Sequence, residues 1–407
     1  MEPPELNGVW NELERSGGQV YFTGGCIRNE LLGEAVTDLD VVVFCMGAEA
    51  LERTLSRFGP VSCYGKTFPI RKVTGFPVEF ALPRLNHEKA RLDPAKAMNQ
   101  DAMNRDFTVN AMYRHVKTGV ITDPLNGRED LDRRLLRQTS ANSMKQDPLR
   151  VCRAFQLMSR YSMKLETHTA EHMRFTALTD TPVERIVNEL DKWLMGEDPE
   201  NGWKGIVDTR HLSLIYSEEA INAFRLVKPI GKALNHSLKY RRDSKEPLLL
   251  MWCVLLAPLF LQGYPPSGLT PKGLSEQRYQ SKRLKSIKDR LEALQILLTV
   301  SPRKPDMIRV CRKTHPEELE RLVLSLIPLW ETWGMEEKVT HQLETFRTLR
   351  PERVPKPVVT GEDLMRAGVV SGPALGTSVK TAYEMQMEGV AKEDIIAFFR
   401  KYPRLFS

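Results

Sequence analysis

The sequence predicts an α+β fold, with a β-sheet near the N-terminus and helices through the rest of the chain. Strand-like apolar runs, including residues 20–23 and 39–45, all precede about residue 138. From residue 147 onward the pattern changes, because apolar side chains recur every three to four positions over 147–161 and again over 183–195. That spacing places them on one face of a helix and predicts a helical second part.

Composition favours a multidomain protein with an anionic partner. The chain has 407 residues, which suits two to four domains, and its 59 Lys and Arg residues exceed its 52 Asp and Glu residues for a net charge of +7. Six scattered cysteines without metal-binding spacing predict a reducing, cytoplasmic location. The most apolar stretch, residues 248–261, contains Pro258 and is shorter than the ~20 residues of a membrane span, so we expect no membrane association.

The most informative segment is YFTGGCIRNELLGEAVTDLD, which begins at Tyr21. It predicts a strand that ends at Gly24 and Gly25, then a short helix, then a second strand that carries Asp38 and Asp40. Side chains two apart on a strand leave the same face, so these carboxylates would repel unless a cation such as Mg²⁺ lies between them. Asp pairs at strand ends also occur in solvated turns. The two glycines favour the metal site over a solvated turn, because they allow a phosphate to approach the backbone closely. Together these features indicate metal-assisted phosphoryl or nucleotidyl transfer.

This segment resembles the first motif of the class II tRNA nucleotidyltransferase and bacterial poly(A) polymerase superfamily. Further segments resemble later motifs of that family, in the same order along the chain. They are GKTFPIRKV (65–73), VEFALPR (78–84), NRDFTVNAMY (104–113), DPLNGREDL (123–131), LLRQT (135–139), QDPLRVCRAFQ (146–156) and VERIVNEL (183–190). The resemblance implies a nucleotidyltransferase head with a small mixed β-sheet, followed by a helical neck, body and tail. We expect these four parts at residues 1–138, 139–215, 216–350 and 351–407.

The resemblance also implies roles for individual residues. Asp38 and Asp40 would bind Mg²⁺ and act in catalysis together with Glu79, an acidic residue on a later strand. A ribose 3′-hydroxyl would be the attacking group, because metal coordination lowers its pKa. The implied nucleotide-binding residues are Gly24, Gly25, Arg28, Arg105, Asp147, Arg150 and Arg153. Glu79 could instead face solvent, and Arg105 could instead form a structural salt bridge with Asp101 or Asp106.

Asp147 and Arg150 carry the most specific expectation. In the resembling enzymes, an Asp and an Arg three residues apart present hydrogen-bonding groups to the incoming base and select C or A. The same spacing in this chain predicts that both side chains share one helical face. An Asp followed by Pro also suits the N-terminal cap of a helix, which is the alternative role for Asp147.

The chain departs from the family pattern at four positions. Asn29 stands in place of an acid, Asn104 in place of Arg, Gln146 in place of Glu and Gln156 in place of Arg. The metal-binding carboxylates are all retained, so we expect catalysis to survive. A neutral Gln146 cannot hold a neighbouring Arg by charge, and we therefore expect the effect to fall on base selectivity.

Residues 85–104 occupy the place of the family's flexible loop. This segment contains no Gly, looks shorter than in members that add the complete CCA, and is rich in helix-forming residues over 95–104. Members that add only CC typically have a shortened loop here. The sequence therefore favours addition of C from CTP over complete CCA addition from CTP and ATP, with a separate enzyme adding the terminal A to the tRNA 3′ end.

A basic strip predicts where the RNA binds. Residues 272–290 contain seven Lys and Arg residues and only two acids. Such a strip could follow a phosphate backbone, although a solvated helix face is equally consistent with the composition. The candidate RNA-binding residues are Lys272, Arg278, Lys282, Arg283 and Lys285.

Two other functions stay open. Bacterial poly(A) polymerase is the nearest enzyme alternative. That enzyme is expected to have a strand with the sequence GRRF and a histidine at this place, whereas residues 65–73 read GKTFPIRKV. A non-catalytic RNA-binding relative would keep the fold with an inactive site. The presence of Asp38, Asp40 and Glu79 together disfavours that alternative.

Overall fold

The computed structural model describes residues 6–36, 38–65, 68–85, 93–216, 221, 227–264, 278–299 and 303–402. The chain divides into two compact units, Met1–Leu212 and Ser213–Ser407. Among the described residues, every strand lies in the first unit, and the second unit is helical. The finer division into head, neck, body and tail stays a prediction.

The first unit is built on a seven-stranded mixed sheet. Its strands are β1 (Gln19–Thr23), β2 (Leu39–Phe44), β3 (Val61–Tyr64), β4 (Ile70–Val73), β5 (Val78–Ala81), β6 (Tyr113–His115) and β7 (Ile121–Thr122). Their order across the sheet is β3-β4-β5-β2-β1-β6-β7. Neighbouring strands are antiparallel except β2 and β5, which run parallel. This sheet, followed by helices, confirms the α+β fold.

Helices cover both faces of this sheet and continue beyond it. Those of the first unit are α1 (Leu6–Arg15), α2 (Gly25–Leu31), α3 (Ala48–Leu55), α4 (Pro94–Met103), α5 (Gly127–Asp132), α6 (Ser143–Gln146), α7 (Arg150–Tyr161), α8 (Thr167–Arg174), α9 (Val183–Leu194) and α10 (Pro199–Asp208). On one face, Trp10 of α1 packs against the rings of Phe22 and Phe80. On the other face, α4 packs against Val42 and Phe44 of β2. Strand residues alternate between the two faces, so Asp40 lies on the α4 face.

A small parallel ribbon corrects the expected extent of the strands. Strand β8 (Leu135–Leu136) pairs with β9 (Lys164–Leu165). The expectation that all strands precede residue 138 is therefore wrong for β9. A two-residue strand is too short to show an alternating pattern, so periodicity does not predict it.

Helices α7, α9 and α10 pack closely against one another. A Cβ atom on Gly202 of α10 would lie 2.3 Å from Cδ1 of Trp193 of α9, so only glycine permits this approach. The rings of Trp193 and Trp203 stack with their centroids 6.3 Å apart. Helix α9 matches the helix expected over residues 183–195, whereas α7 begins at Arg150, three residues later than expected.

The described part of the second unit consists of helices. They are α11 (Val227–His236), α12 (Leu238–Arg241), α13 (Pro247–Phe260), α14 (Arg278–Thr299), α15 (Lys304–Lys313), α16 (Pro316–Ser325), α17 (Ile327–Trp333), α18 (Glu336–Leu349), α19 (Gly361–Arg366), α20 (Pro373–Met387) and α21 (Lys392–Lys401). Every residue of α13 from Leu249 to Phe260 is buried, which confirms a buried helix at the most apolar stretch. No helix in the described ranges has the length and apolar character needed to cross a membrane.

Candidate active site

The parallel pairing of β2 with β5 brings two acidic residues together. In its register, Asp40 lies directly opposite Glu79, so the two side chains share the α4 face of the sheet. Asp38 is exposed and lies at a bend just before β2 begins. Burial, together with the negative charges of Glu79 and Asp38, raises the pKa of Asp40 to about 6 against the opposing charges of Arg105 and Arg84.

Glu79 does not form a three-carboxylate group with Asp38 and Asp40. Within the described ranges, no three His, Cys, Asp or Glu side chains converge closely enough to hold an ion. Glu79 instead lies 3.8 Å from Nζ of Lys72 on the neighbouring strand β4. Lys72 attracts the Glu79 carboxylate while Asp40 repels it, which explains this placement. The surplus negative charge that raises the pKa of Asp40 still fits a hard divalent cation held by Asp38 and Asp40.

The turn between β1 and α2 lies against these carboxylates. Gly24 has φ 75°, a conformation that favours glycine. A Cβ atom on Gly24 would lie 3.1 Å from Oδ2 of Asp40 and 3.9 Å from Nη1 of Arg105. Glycine therefore allows the backbone, an acidic side chain and a basic side chain to meet in one small volume. Gly25 has a comparable neighbour, since its Cβ would lie 3.2 Å from Nη2 of Arg28.

The side chain of Arg28 is buried and bonded to the protein. Its Nη2 donates to Oη of Tyr161 at 2.8 Å and to Oδ1 of Asn29 at 3.0 Å, and its Nη1 donates to Asn110. The guanidinium also stacks over the ring of Tyr161 at 4.4 Å. Arg28 thus ties α2 to α7, and its role in nucleotide binding stays a prediction. The sequence contains no sign of this contact, because Tyr161 is 133 positions away along the chain.

Arg105 is held by Asp101, which was one of its two alternative salt-bridge partners. Nε of Arg105 donates to Oδ2 of Asp101 at 2.8 Å and to Oη of Tyr113 at 3.1 Å. Burial alone would lower the pKa of Arg105, but Asp101 and Tyr113 raise it. Asp106 bonds elsewhere, accepting from Nη1 of Arg153 at 2.8 Å. The salt bridge leaves Nη1 of Arg105 on the side of Gly24, so pairing with Asp101 and facing the carboxylates are compatible.

Asp147 and Arg150 do not share a helical face, and that expectation is wrong. Asp147 has extended geometry, with φ −148° and ψ 96°, and it precedes the first residue of α7. Pro148 explains the difference, because a residue before proline is disfavoured in the helical conformation. The alternative role as a helix cap has support. Asp147 accepts from the Leu149 amide at 3.3 Å through Oδ1 and from the Arg150 amide at 3.0 Å through its carbonyl oxygen, as a residue that caps the first turn does. Its carboxylate also lies 3.6 Å from Nη2 of Arg185.

The guanidinium of Arg150 is directed into the protein. Nη1 donates to the carbonyl oxygens of Arg105 at 2.9 Å and Ser143 at 3.0 Å, and Nη2 donates to that of Asn104 at 2.7 Å. Only 3% of Arg150 is exposed, so little of it is available to read a base. Asp147 is more accessible. A role in base selection stays a prediction for both residues.

Comparison with known proteins identifies the family. The model of the poly A polymerase head domain matches residues 20–137, which contain both strands that carry the carboxylates. A multifunctional CCA protein of Pseudomonas fluorescens (strain Pf0-1) is 30% identical over 300 residues, covering 68% of this chain and 71% of the relative. The chain belongs to the tRNA nucleotidyltransferase and bacterial poly(A) polymerase superfamily. It is an enzyme of the tRNA nucleotidyltransferase type.

Solved structures share the fold of this nucleotidyltransferase along nearly its whole length. The CCA-adding enzyme of Thermotoga maritima, complexed with tRNA, aligns with a TM-score of 0.60 at 18% identity, covering 98% of this chain and 95% of the other. A CCA-adding enzyme in complex with CTP aligns with a TM-score of 0.62 at 18% identity, covering 99% and 96%. At this level of identity the likeness concerns the fold.

Two of the departures of this nucleotidyltransferase from its family contact each other. Nε2 of Gln146 donates to Oδ1 of Asn104 at 3.3 Å. Two neutral amides therefore meet where the family pattern has Arg and Glu, which explains why neither departure leaves an unpaired charge. Both residues also contact Arg150, Asn104 through its carbonyl oxygen at 2.7 Å and Gln146 through Oε1 at 3.5 Å.

The predicted RNA-binding strip falls partly outside the described residues. Lys272 lies outside them, and so does the side chain of Arg278, the first residue of α14. Lys282 and Lys285 are exposed on α14, and Arg283 is half-buried. RNA binding by this set stays a prediction. Arg290 of the same strip is 6% exposed and pairs with Glu246 at 2.5 Å, so it belongs to the interior of the second unit.

Proposed function

We propose that this nucleotidyltransferase adds cytidine nucleotides to the 3′ end of tRNA from CTP, with release of pyrophosphate, and that a separate enzyme adds the terminal A. The family membership supports transfer to tRNA. The observation that favours CC addition over complete CCA addition is helix α4, which occupies residues 94–103 in the place of the family's flexible loop. Four residues of α4 are buried, and the helix packs against the sheet through strand β2, as is typical of a helix with a fixed position.

In this proposal the acidic residues hold the metal ion. Asp38 and Asp40 would hold Mg²⁺ at the start of β2, with Glu79 adding negative charge from the neighbouring strand. When bound, Mg²⁺ supplies charge stabilisation on the phosphates and lowers the pKa of the attacking 3′-hydroxyl. No side chain of the enzyme is needed as a nucleophile.

The basic residues and glycines would position the triphosphate. Arg105 presents a planar guanidinium beside Gly24, and this geometry suits paired phosphate oxygens. Gly24 and Gly25 leave space for the phosphate oxygens next to the backbone, because neither carries a Cβ atom there. Arg153 is held by Asp106, which follows Arg105 in the sequence, and its role in nucleotide binding is also part of the proposal.

A nucleotide-addition assay tests the proposal. The purified protein is incubated with a tRNA transcript that lacks its last three nucleotides, together with Mg²⁺ and CTP, ATP or both, and the products are separated by length. We expect extension by two nucleotides with CTP, and the same product when ATP is also present. Efficient addition of a terminal A would overturn the CC assignment in favour of complete CCA addition.

The same assay separates the other candidate functions. Long tails made from ATP alone would identify a poly(A) polymerase. If neither CTP nor ATP supports extension but the protein still binds tRNA, it is a non-catalytic relative. The matched variant is Asp38→Ala, which should abolish transfer and leave the tRNA dissociation constant unchanged, because the carboxylate binds metal and not RNA. Transfer that persists in Asp38→Ala would show that the metal assignment is wrong.

A further inference from the structure

A buried carboxylate on α4 connects three separate segments of the head. Asp101 lies in the last turn of α4 and has no exposed surface. Its carboxylate accepts from the amide of Arg84 at 2.6 Å, from Nε of Arg105 at 2.8 Å and from Oη of Tyr113 at 2.5 Å. Arg84 follows β5, which carries Glu79, and Tyr113 begins β6, so Asp101 fixes Arg105 relative to the sheet.

Asp101 is charged despite its burial. Burial alone would raise the pKa of Asp101, but Arg105 beside it and the hydrogen bonds from Arg84 and Tyr113 hold the pKa below its ordinary value. A buried ion pair is a weak source of stability, because desolvation of both charges offsets their attraction. Its best-established benefit is a fixed geometry. The geometry fixed here is that of the Arg105 guanidinium.

Asp101 determines which edge of Arg105 faces the site. Nε of Arg105 is bonded to Asp101, and the Nη1 end of the guanidinium lies near Gly24. Nη1 lies 3.9 Å from the position that a Cβ on Gly24 would occupy, and that same position is 3.1 Å from Oδ2 of Asp40. The described protein partner of Nη1 is the carbonyl oxygen of Asn110, at a long 3.5 Å. Arg105 therefore presents Nη1 towards the volume bordered by Gly24 and Asp40.

We propose that Asp101 is the positioning residue of the triphosphate site, holding the Arg105 guanidinium so that it faces the phosphates of the incoming nucleotide. This inference rests on the proposed function, in which Arg105 binds the triphosphate. It also assigns a role to α4, because this helix, in the place of the family's flexible loop, carries the carboxylate that orients Arg105. Asp101 acts through Arg105 and does not touch the nucleotide.

The first test is the affinity for CTP, measured by titration calorimetry in Mg²⁺ without tRNA. Asp101→Asn keeps the shape of the side chain and removes its charge. Without the charge of Asp101, the Arg105 guanidinium is no longer held facing the phosphates, and its charge-assisted hydrogen bond to CTP is lost. We therefore expect CTP binding to weaken by about tenfold or more. The dissociation constant of tRNA should stay the same. In the transfer assay, KM for CTP should rise and KM for tRNA should not.

Asp130→Asn is the matched control. Asp130 is another buried carboxylate of the head, 4% exposed, and it accepts from Oγ1 of Thr108 at 2.7 Å and from Nε of Arg137 at 3.1 Å. Its replacement should lower the melting temperature as Asp101→Asn does, because each variant leaves a buried donor without its charged acceptor. CTP affinity should change by less than about twofold. An equal loss of CTP affinity in both variants would reduce Asp101 to a structural role.

A double-mutant cycle shows whether Asp101 acts through Arg105. Lysine cannot form the two-sided contact of a guanidinium, so in an Arg105→Lys background Asp101→Asn should weaken CTP binding by less than about threefold. If Asp101→Asn weakens CTP binding by the same factor in both backgrounds, the proposal is overturned. If Asp101→Asn fails to fold, Tyr113→Phe replaces it, because this variant removes one hydrogen bond from the same carboxylate. It should weaken CTP binding by about two- to fivefold, and unchanged binding would contradict the proposal.

The two readouts distinguish failure of this inference from failure of the proposed function. If the protein does not extend tRNA but CTP affinity follows the expected pattern, the proposed function is wrong and the role of Asp101 stands. If the protein extends tRNA but Asp101→Asn binds CTP normally, the proposed function stands and the role of Asp101 is wrong.

Discussion

Replacing Asp40 with Asn should stabilise the metal-free protein at neutral pH while it abolishes nucleotide transfer. Asp40 lies beside Glu79 in a partly buried position, and burial together with the negative charge of Glu79 raises its pKa to about 6 from 3.8. A carboxylate whose pKa is raised by folding destabilises the folded state once it ionises. The neutral amide of Asn has nearly the same shape and no charge, so the variant isolates this electrostatic cost.

The size and pH range of the effect follow from the pKa of Asp40. The folded protein has a pKa of about 6 for this group where the unfolded chain has about 3.8. Each pH unit of difference corresponds to about 1.4 kcal/mol, so the cost reaches about 3 kcal/mol. Below pH 4 Asp40 is protonated in both states and the cost is absent. It develops between pH 4 and 6 and is complete above pH 6.

Thermal melting in EDTA measures the effect. For a unit of 150–250 residues, about 3 kcal/mol corresponds to about 6–12 °C in Tm. We expect Asp40→Asn to melt higher than the natural protein at pH 8 by that amount, and at the same temperature at pH 4. Glu49→Gln, which changes an exposed residue of α3, should shift neither melting temperature by more than about 1 °C.

Magnesium provides the complementary measurement. MgCl₂ should raise the Tm of the natural protein at pH 8, because ligands that bind only the folded state stabilise it, and it should do little for Asp40→Asn. Equal stability of the two proteins at pH 8, or a difference that persists at pH 4, would refute the electrostatic reasoning.

Three further outcomes are expected from the same geometry. Below pH 6 the apparent affinity for Mg²⁺ should fall by about tenfold per pH unit, because a proton competes for Asp40, and titration of Mg²⁺ binding at several pH values checks this. Gly24→Ala should lower kcat/KM for CTP by about tenfold or more, since its Cβ would lie 3.1 Å from Oδ2 of Asp40 at a φ of 75°. Arg290→Ala should lower Tm by removing the buried partner of Glu246, whereas Lys285→Ala, on an exposed part of α14, should leave Tm unchanged and weaken tRNA binding in a salt-dependent way.

The residue pattern by itself determined the fold class, the family and the most local features of the site. The Gly-Gly turn indicated a close approach of backbone and ligand. The alternating pattern predicted that Asp38 and Asp40 share one face of a strand, but the structure has Asp38 at a bend just before β2, so alternation along β2 applies to Asp40 alone. Helical spacing identified the second half of the chain as helical. These features depend on neighbours within a few residues, so they are visible in the sequence without knowledge of the fold.

Local spacing failed where a single neighbour changed the backbone. The three-residue separation of Asp147 and Arg150 indicated a shared helical face, but Pro148 keeps Asp147 extended and α7 begins only at Arg150. The guanidinium of Arg150 then turns inward to the carbonyl oxygens of Asn104 and Arg105. Periodicity describes residues within a helix and carries no information about where the helix begins.

Only the tertiary structure decided which distant residues meet. Parallel pairing of β2 with β5 placed Asp40 beside Glu79, and the fold brought Tyr161 onto Arg28 and Gln146 onto Asn104. Such pairs are separated by about 40 to 130 positions, and chain distance says nothing about them. The burial that raises the pKa of Asp40 has the same origin, because it depends on everything packed around the carboxylate and not on the residue itself.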